Sequence, residues 1–384
     1  MADKKEIINR INNVIKNIEN KDFTLFFFVI DSKNVPNSSM KYSYTLAYEL
    51  QLLGYNVKMI YQLANEYTKK ELDELNRKEK PIDESRAFVG VREWLGDKYA
   101  DIKHINITTE EWRVSPADVL FIPEVFSSLM FETYKHNIPC KRYVLLHNYD
   151  YVTEFIPLGI QWSSYGIYDA ICSTKQEEKL IKSVFPYINT TVLNPYIDNC
   201  FRKPIKPKNL IINIIAKNQN DVNKIVKPFY WKYGNAYKFV SFRDLRGFPQ
   251  EKYAEMLQES PITIWVDTDT SFGSSAIEAI RCNSILIGKL PERIPEWMTD
   301  ENGVLKDNGI WFDDINAVHG IIASAVGSWM RDEVPSEILN AMEVTNKQYT
   351  YSEWKPQVKV LIEKITTERI NELKNTITKI KEEN

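Results

Sequence analysis

The chain has 384 residues, a formal net charge of -3 and a 43% share of hydrophobic residues. This length can bury two hydrophobic cores, because a single core rarely grows beyond about 250 to 300 residues. The near-neutral charge excludes a basic field over the whole molecule, so any contact with nucleic acid has to come from a local patch.

The cysteines and the apolar runs predict a soluble, cytoplasmic protein. Cys140, Cys172, Cys200 and Cys282 lie far apart without a close Cys-x-x-Cys pair, which favours reduced thiols over a zinc site or a disulfide framework. The N-terminus is rich in Lys and Asn and lacks the apolar core of a signal peptide. No apolar run approaches the roughly 18 residues of a membrane helix, so we expect no membrane span.

In chain order, a helical segment is followed by alternating strands and helices and then by a second helical segment. The first segment has apolar residues at helical spacing, namely Ile7, Ile8, Ile11, Val14, Ile15 and Ile18. The predicted strands are 23–30, 57–61, 119–122, 143–147, 170–173, 191–193, 210–215, 238–242, 262–266 and 284–287. The last segment repeats the helical spacing at Leu361, Ile365, Ile370, Leu373, Ile377 and Ile380. This alternation predicts an α/β protein with parallel sheets.

A segment rich in proline and basic residues, Phe-Arg-Lys-Pro-Ile-Lys-Pro-Lys at 201–208, is typical of a linker between compact domains. We therefore predict two Rossmann-like, doubly wound domains at 1–203 and 204–345. The helices at 346–384 are expected to pack across both domains. Ligands of open parallel sheets bind at the carboxyl ends of the strands, which places the expected site in the cleft between the two domains.

Residues 262–288 indicate a buried strand, a glycine turn, a helix and a second buried strand. The turn, Phe272-Gly273-Ser274-Ser275, directs the free N–H groups of the helix start outward, where an anion binds. Glu278 is predicted on the first turn of this helix, beside the same pocket. Alternatively, Ser275 and Glu278 form a capping box, in which Glu278 only satisfies the Ser275 N–H.

Four sequence elements, in this order along the chain, resemble the GT-B glycosyltransferases, in particular the retaining family 4. They are Val144-Leu-Leu-His-Asn-Tyr-Asp150; Tyr168-Asp-Ala-Ile-Cys-Ser-Thr174 with Val192-Leu-Asn-Pro-Tyr-Ile-Asp198 and Phe201; Leu245-Arg-Gly-Phe-Pro-Gln-Glu-Lys-Tyr-Ala-Glu-Met-Leu257; and the Phe272-Gly273 turn with Glu278. The resemblance covers nearly the whole chain and implies the GT-B fold, with an N-terminal acceptor domain and a C-terminal nucleotide-sugar domain.

The resemblance also implies a donor site. The family's Glu-x-Phe-Gly-x-x-x-x-Glu loop gives backbone N–H groups to the donor diphosphate and sugar, and its second Glu, here Glu278, holds the ribose. The first Glu is replaced by Thr270, which lacks the carboxylate that contacts the donor sugar in the family. The remaining loop positions, Ser271, Phe272, Gly273 and Ser274, are expected at the donor. The family places a basic residue, here Lys217, on the diphosphate, although Lys217 also fits a solvated loop.

Other candidates have a functional and a structural explanation. Arg243 and Arg246 could reach phosphate or base, with Arg246 preferred, or lie on the surface. The loop at 34–39 replaces a glycine-rich loop of many relatives, and Ser38 and Ser39 either face the donor phosphates or cap a helix. In the family a His often lies beside the reacting sugar, here His147, which could instead be a core histidine. Asp150 either orients an acceptor hydroxyl or caps a turn.

Asp267-Thr-Asp269 could chelate a divalent cation in the other large glycosyltransferase fold, GT-A. Because this motif falls late, inside the Phe-Gly element of a second domain, we predict metal independence and no cofactor beyond the nucleotide-sugar donor. Family 4 enzymes retain anomeric configuration, and the leaving phosphate can take the acceptor proton. Such a reaction needs no strong protein base, which agrees with the absence of paired carboxylates typical of a hydrolase.

The overall pattern resembles glycosyltransferases of tailed bacteriophages, some of which glycosylate hydroxymethylated pyrimidines in DNA; such an enzyme would work in the host cytoplasm. Basic and aromatic residues at 227–233, with Arg202, Lys203, Lys206 and Lys208, offer a surface for DNA, but a core stripe and a linker explain them as well. A surface glycan or a protein is the alternative acceptor. Rival functions are a catalytically silent nucleotide-sugar-binding module and a non-hydrolysing sugar-nucleotide epimerase. The donor nucleotide and the oligomeric state stay open.

Overall fold

The structure is a computed structural model that describes residues 4–30, 36–62, 69–81, 92–106, 113–269 and 271–382. The chain forms two compact units. Unit 1 comprises Met1–Cys172, Leu180–Leu193 and Lys355–Asn384, and unit 2 comprises Ser173–Lys179 and Asn194–Trp354. The first unit thus gives way to the second before the proline-rich segment at 201–208, and Phe201 is buried in the core of unit 2. The predicted domain boundaries stay predictions.

The helices of the described residues are α1 (Lys4–Glu19), α2 (Ser38–Leu52), α3 (Lys69–Arg77), α4 (Ser127–Lys135), α5 (Tyr149–Phe155), α6 (Lys175–Val184), α7 (Gln219–Tyr233), α8 (Gln250–Glu259), α9 (Ser274–Arg281), α10 (Val318–Met330), α11 (Ser336–Lys347) and α12 (Tyr351–Glu382). Both predicted terminal helices are confirmed as α1 and α12. None of the helices in the described ranges is long and apolar enough to cross a membrane.

Unit 1 contains a parallel sheet of seven strands in the order β3-β2-β1-β4-β5-β6-β7. Its strands are β1 (Thr24–Ile30), β2 (Asn56–Gln62), β3 (Lys103–Asn106), β4 (Val119–Pro123), β5 (Lys141–Leu146), β6 (Asp169–Cys172) and β7 (Asn189–Val192). Buried strands such as β4 are apolar throughout because helices cover both faces of a doubly wound sheet. The strand order reverses between β1 and β4, so their carboxyl ends flank the position where such sheets bind ligands.

Unit 2 contains a parallel sheet of five strands in the order β12-β11-β10-β8-β9. Its strands are β8 (Ile211–Ile215), β9 (Ser241–Asp244), β10 (Ile262–Trp265), β11 (Ile285–Lys289) and β12 (Ile310–Phe312). One face packs against α7 and α10, and the other packs against α8 and α9. The order reverses between β8 and β10, which makes the carboxyl ends of these two strands the expected ligand position of this unit.

All ten predicted strands are confirmed within a few residues. The predicted strand at 238–242 begins later, at Ser241, because a turn at Tyr237–Val240 separates it from α7. Two strands of the part of the chain that the structure describes were not predicted. β3 carries Lys103 and His104 at a sheet edge, and β12 has only three residues, so neither has the long apolar run that indicates a buried strand.

Candidate functional site

The reversal point of unit 2 brings Lys217 together with the two aspartates that follow β10. Lys217 Nζ lies 2.9 Å from Asp269 Oδ2 and 3.7 Å from Asp267 Oδ1. Burial raises the pKa of Asp267, and the charge of Lys217 opposes that rise. A cation is therefore held at the carboxyl ends of β8 and β10, and the Asp-Thr-Asp motif is engaged with a lysine. No group of three or more His, Cys, Asp or Glu able to hold a metal occurs within the described ranges.

The Phe272-Gly273 turn is fixed by tryptophans. The indole N–H of Trp297 donates to the Phe272 carbonyl at 2.6 Å, and the Phe272 ring packs edge-on against Tyr349 at 5.1 Å. Gly273 has φ 69°, a left-handed conformation, and a Cβ there would lie 3.1 Å from the ring of Trp265. Both the backbone angle and the close ring explain why glycine occupies this position. Thr270, the position of the replaced Glu, lies outside the described residues.

Helix α9 begins at Ser274 with Gly273 as its N-cap and no side-chain cap hydrogen bond. The alternative interpretation of Ser275 and Glu278 as a capping box is therefore wrong, because the helix begins before Ser275. The Ala276 N–H donates to the Gly273 carbonyl at 3.0 Å, and Gly273 has no side chain that could accept the N–H groups of Ser274 and Ser275, which are the groups that bind anions at helix starts. Ser271 is buried beside this turn.

The sequence predicted Glu278 on the first turn of α9. The structure places it on the second turn, so this prediction is wrong. Glu278 is only 8% exposed. The nearby Tyr253 hydroxyl is buried without a hydrogen-bond partner among the described residues. Burial raises the pKa of Tyr253 well above its ordinary value, and the negative charge of Glu278 adds to this rise. The carboxylate and the phenol therefore share one buried environment between α8 and α9.

The two arginines of the donor prediction differ in position. Arg246 pairs with Asp244 and donates to Oε1 of Gln219, the first residue of α7, at 2.7 Å. It therefore lies at the same edge of the sheet as Lys217. Arg243 donates to Asn213 Oδ1, to the Glu259 carboxylate and to the Met256 carbonyl. Glu259 ends the helix that leads into β10, so Arg243 points to the opposite, amino-terminal edge. The structure does not bring Arg243 to the other donor candidates.

In unit 1, His147 follows β5 and lies between two buried polar side chains. Its Nδ1 atom lies 3.1 Å from Glu124 Oε2, and its Nε2 atom lies 3.2 Å from Ser43 Oγ. The His147 side chain is 6% exposed and that of Glu124 is 1% exposed. Glu124 follows β4 and Ser43 lies on α2, so this cluster occupies the reversal point of the unit 1 sheet.

The other candidates of unit 1 lie at helix starts. Asn148 caps α5 and accepts the Asp150 N–H at 3.0 Å, which places Asp150 in the first turn without the capping role. Ser38 and Ser39 begin α2, but Asn37 caps it by accepting the Met40 N–H at 2.9 Å. A capping serine is thus excluded. Residues 31–35 of the preceding loop, including Asn34, lie outside the described residues.

Sequence reasoning missed Glu124, Ser43 and the tryptophans that hold the glycine turn. Glu124 carried one detectable signal, because it directly follows a fully apolar strand where a carboxylate needs a partner. Ser43 and Trp297 carried none, since each meets its partner only through the fold.

No protein-family model matches the chain, and no curated protein matches its sequence. Solved structures do match over nearly the whole chain. Sucrose-phosphate synthase from Thermosynechococcus elongatus has a TM-score of 0.56 at 10% identity, covering 90% of this chain and 99% of that chain. HepE of Anabaena, solved with UDP and glucose, has a TM-score of 0.57 at 9% identity and coverage of 89% and 99%. The pneumococcal O-GlcNAc transferase GtfA, solved with UDP and GlcNAc, has a TM-score of 0.53 at 9% identity and coverage of 93% and 99%.

These neighbours are glycosyltransferases of the GT-B class. The fold of this chain, with one parallel Rossmann-like sheet in each of its two units, is accordingly the GT-B fold that the sequence predicted.

Proposed function

We propose that the protein is a glycosyltransferase that moves a sugar from a nucleotide-diphosphate sugar to an acceptor hydroxyl. The observation that carries the proposal is the reversal point of unit 2, where Lys217 lies beside the carboxyl ends of β8 and β10 and α9 begins with an uncapped turn at Gly273. A cation and helix N–H groups are the two features that bind a diphosphate. The presence of UDP in two structural neighbours supports this assignment.

The proposed chemistry follows from the charge that develops when the diphosphate leaves. Lys217 and the N–H groups of Ser274 and Ser275 would stabilise that charge in the transition state. Arg246, beside the start of α7, is placed to add a second cation. The carboxylate of Glu278 would accept hydrogen bonds from the ribose hydroxyls, and these bonds would offset the free-energy cost of burying its charge. We propose that Lys217 exchanges its aspartate partners for the diphosphate when the donor binds.

In unit 1, His147 would lie beside the reacting sugar and Asp150 near the acceptor. We propose that the reaction retains anomeric configuration, as in family 4, with the leaving phosphate taking the acceptor proton. NMR of the product decides this point, since an inverted anomeric carbon would contradict it. The proposal includes no metal ion, because Lys217 already supplies positive charge at Asp267 and Asp269.

For the acceptor we propose a hydroxymethylated pyrimidine in phage DNA, modified in the host cytoplasm. The feature that favours DNA is the 222–240 segment of unit 2, which contains four lysines and no acidic residue. Trp231 is 80% exposed and Phe239 is 53% exposed within it, and exposed aromatic rings among lysines are typical of nucleic-acid surfaces. A surface glycan or a protein is the alternative acceptor. A silent nucleotide-sugar-binding module is the alternative from another class, favoured by Thr270 in place of the carboxylate.

The test combines a donor panel with an acceptor panel. UDP-, GDP- and TDP-sugars are incubated with hydroxymethylated DNA, unmodified DNA and glycans, while released nucleotide and acceptor mass are measured. We expect transfer to hydroxymethylated DNA only. Tight donor binding without turnover on any acceptor would favour the silent module, and conversion of the donor without an acceptor would favour an epimerase.

The donor site is tested with Lys217→Ala and Glu278→Ala. Each is expected to weaken donor binding about tenfold to hundredfold, because a charge-assisted hydrogen bond contributes about 1.5–3 kcal/mol. The matched control is Lys252→Ala, a half-exposed lysine on α8 that pairs with Glu255 at 2.8 Å. Unchanged donor affinity in both site variants by calorimetry would refute the assigned donor site.

A further inference from the structure

His147 is clamped on three sides within unit 1. Glu124 lies at Nδ1, Ser43 lies at Nε2, and the Tyr42 ring packs edge-on against the imidazole at 5.7 Å. Because Glu124 and Ser43 are each 1% exposed, water does not compete freely for these hydrogen bonds. The proton positions on the ring therefore depend on what each neighbour can donate or accept.

Glu124 determines the hydrogen on Nδ1. Its Oε1 atom accepts the Asn148 N–H at 2.9 Å, and its Oε2 atom faces His147 Nδ1 at 3.1 Å. A carboxylate has only acceptors, so Nδ1 has to donate. Nε2 is then the ring nitrogen that pairs with Ser43.

Ser43 can accompany either state of Nε2. Its hydroxyl has one hydrogen and two neighbours at the same distance, His147 Nε2 and the Ser39 carbonyl, both 3.2 Å away. With a neutral ring the hydroxyl donates to Nε2. When it turns to the Ser39 carbonyl, its oxygen can accept from a protonated Nε2. No heavy atom has to move in either change.

We propose that Glu124 and Ser43 are positioning residues for His147: Glu124 fixes the Nδ1–H tautomer, and the Ser43 hydroxyl, which can donate to Nε2 or accept from it, holds the ring in place beside the bound sugar or acceptor. The role in transfer rests on the proposed function. The tautomer itself does not, because it follows from the hydrogen bonds of the protein alone.

The first test is NMR of the protein labelled with ¹⁵N in its four histidines. The His147 signals are identified by their loss in His147→Asn. At alkaline pH, where the ring is neutral, we expect the hydrogen on Nδ1. A neutral ring with its hydrogen on Nε2 in the wild-type protein overturns the proposal, whether or not the protein transfers sugars.

The second test is Glu124→Gln. Its amide oxygen has to keep the Asn148 N–H, which turns the amide NH₂ toward Nδ1 and forces the neutral ring to the Nε2–H tautomer. The matched control is Glu49→Gln, a glutamate that is equally buried, lies on α2 and pairs with Lys355 at 3.7 Å. The control should leave the His147 signals unchanged. A Glu124→Gln spectrum that keeps Nδ1–H contradicts the assigned role of Glu124.

Ser43→Ala provides a variant with a smaller change. It should keep the Nδ1–H tautomer and shift the Nε2 signal, and an unchanged Nε2 signal contradicts the role of Ser43. In the transfer reaction, Glu124→Gln should lower kcat about tenfold while donor affinity stays the same, because the changed tautomer alters one hydrogen bond of His147 beside the reacting sugar. Loss of donor affinity without loss of kcat would show a structural role only. Absence of transfer by the wild-type protein would refute the proposed function and leave the tautomer result intact.

Discussion

At the scale of single residues, Lys208 has an unusual environment for a lysine. Its ammonium group lies within hydrogen-bond distance of four carbonyl oxygens, those of Leu257, Gln258, Ser260 and Cys282. These carbonyls belong to the C-terminal ends of α8 and α9, where helix carbonyls lack partners and attract a cation. The residue that appeared to belong to a basic linker therefore joins two helices of unit 2.

Burial lowers the pKa of Lys208 to about 8. Between about pH 8 and 10.5 the unfolded chain holds a proton that the folded chain has lost, so this lysine makes the free energy of unfolding rise with pH over that window. Below about pH 8 Lys208 is charged in both the folded and the unfolded state, so the folded protein carries the full free-energy cost of burying this charge. We expect the stability of the wild-type protein relative to Lys208→Met to increase from pH 8 to 10.5.

The measurement is denaturant unfolding, followed by tryptophan fluorescence, across this pH range. Lys206→Met serves as the control, because Lys206 is an exposed lysine of the same segment. A difference between wild type and Lys208→Met that stays flat with pH would mean that the ammonium is not desolvated as the structure indicates.

Among the elements, the turn that leads into α9 places two separate requirements on one residue. Gly273 has to adopt a positive φ and also to lie against the Trp265 ring. Gly303 has a positive φ of 79° as well, but a Cβ there would meet nothing within 4 Å. Substitution of Gly303 therefore tests backbone strain alone, whereas substitution of Gly273 tests backbone strain together with the contact to Trp265.

We expect Gly303→Ala to destabilise unit 2 by about 1 kcal/mol, because it adds only backbone strain. Gly273→Ala should cost about 1–3 kcal/mol more, since its Cβ overlaps a tryptophan ring that cannot move freely. It should also weaken donor binding, whereas Gly303→Ala should not. Equal losses of stability in the two variants, measured by denaturant unfolding, would contradict the role assigned to Trp265.

For the whole molecule, the decisive electrostatic feature is the lysine shared by Asp267 and Asp269. A divalent cation at these carboxylates would have to displace Lys217, whose Nζ lies 2.9 Å from Asp269. We therefore predict that turnover is the same with EDTA as without it. Inhibition by EDTA that Mg²⁺ or Mn²⁺ reverses, and that Asp269→Asn abolishes, would establish a metal site instead.

The sequence was sufficient for the class of fold and for the position of the glycine turn before α9. Apolar runs between turn residues fixed the ten predicted strands, because burial on both faces of a parallel sheet demands continuous hydrophobicity. The glycine turn before α9 was visible because only glycine tolerates its backbone angle without strain. The exact start of α9 could not be predicted from the sequence, because Ser275 and Glu278 also fit the local pattern of a capping box.

Only the tertiary structure decided which polar side chains act together. Periodicity describes the neighbours of a residue along the chain, whereas the order of the strands determines which loop ends meet. That order placed Glu124 against His147 and Lys217 between two aspartates. It also turned Arg243 toward Glu259, away from the predicted donor site, because the direction of a long side chain depends on partners remote in sequence. Local sequence thus determined the strands and the glycine turn, and the meeting of strand ends determined the polar clusters.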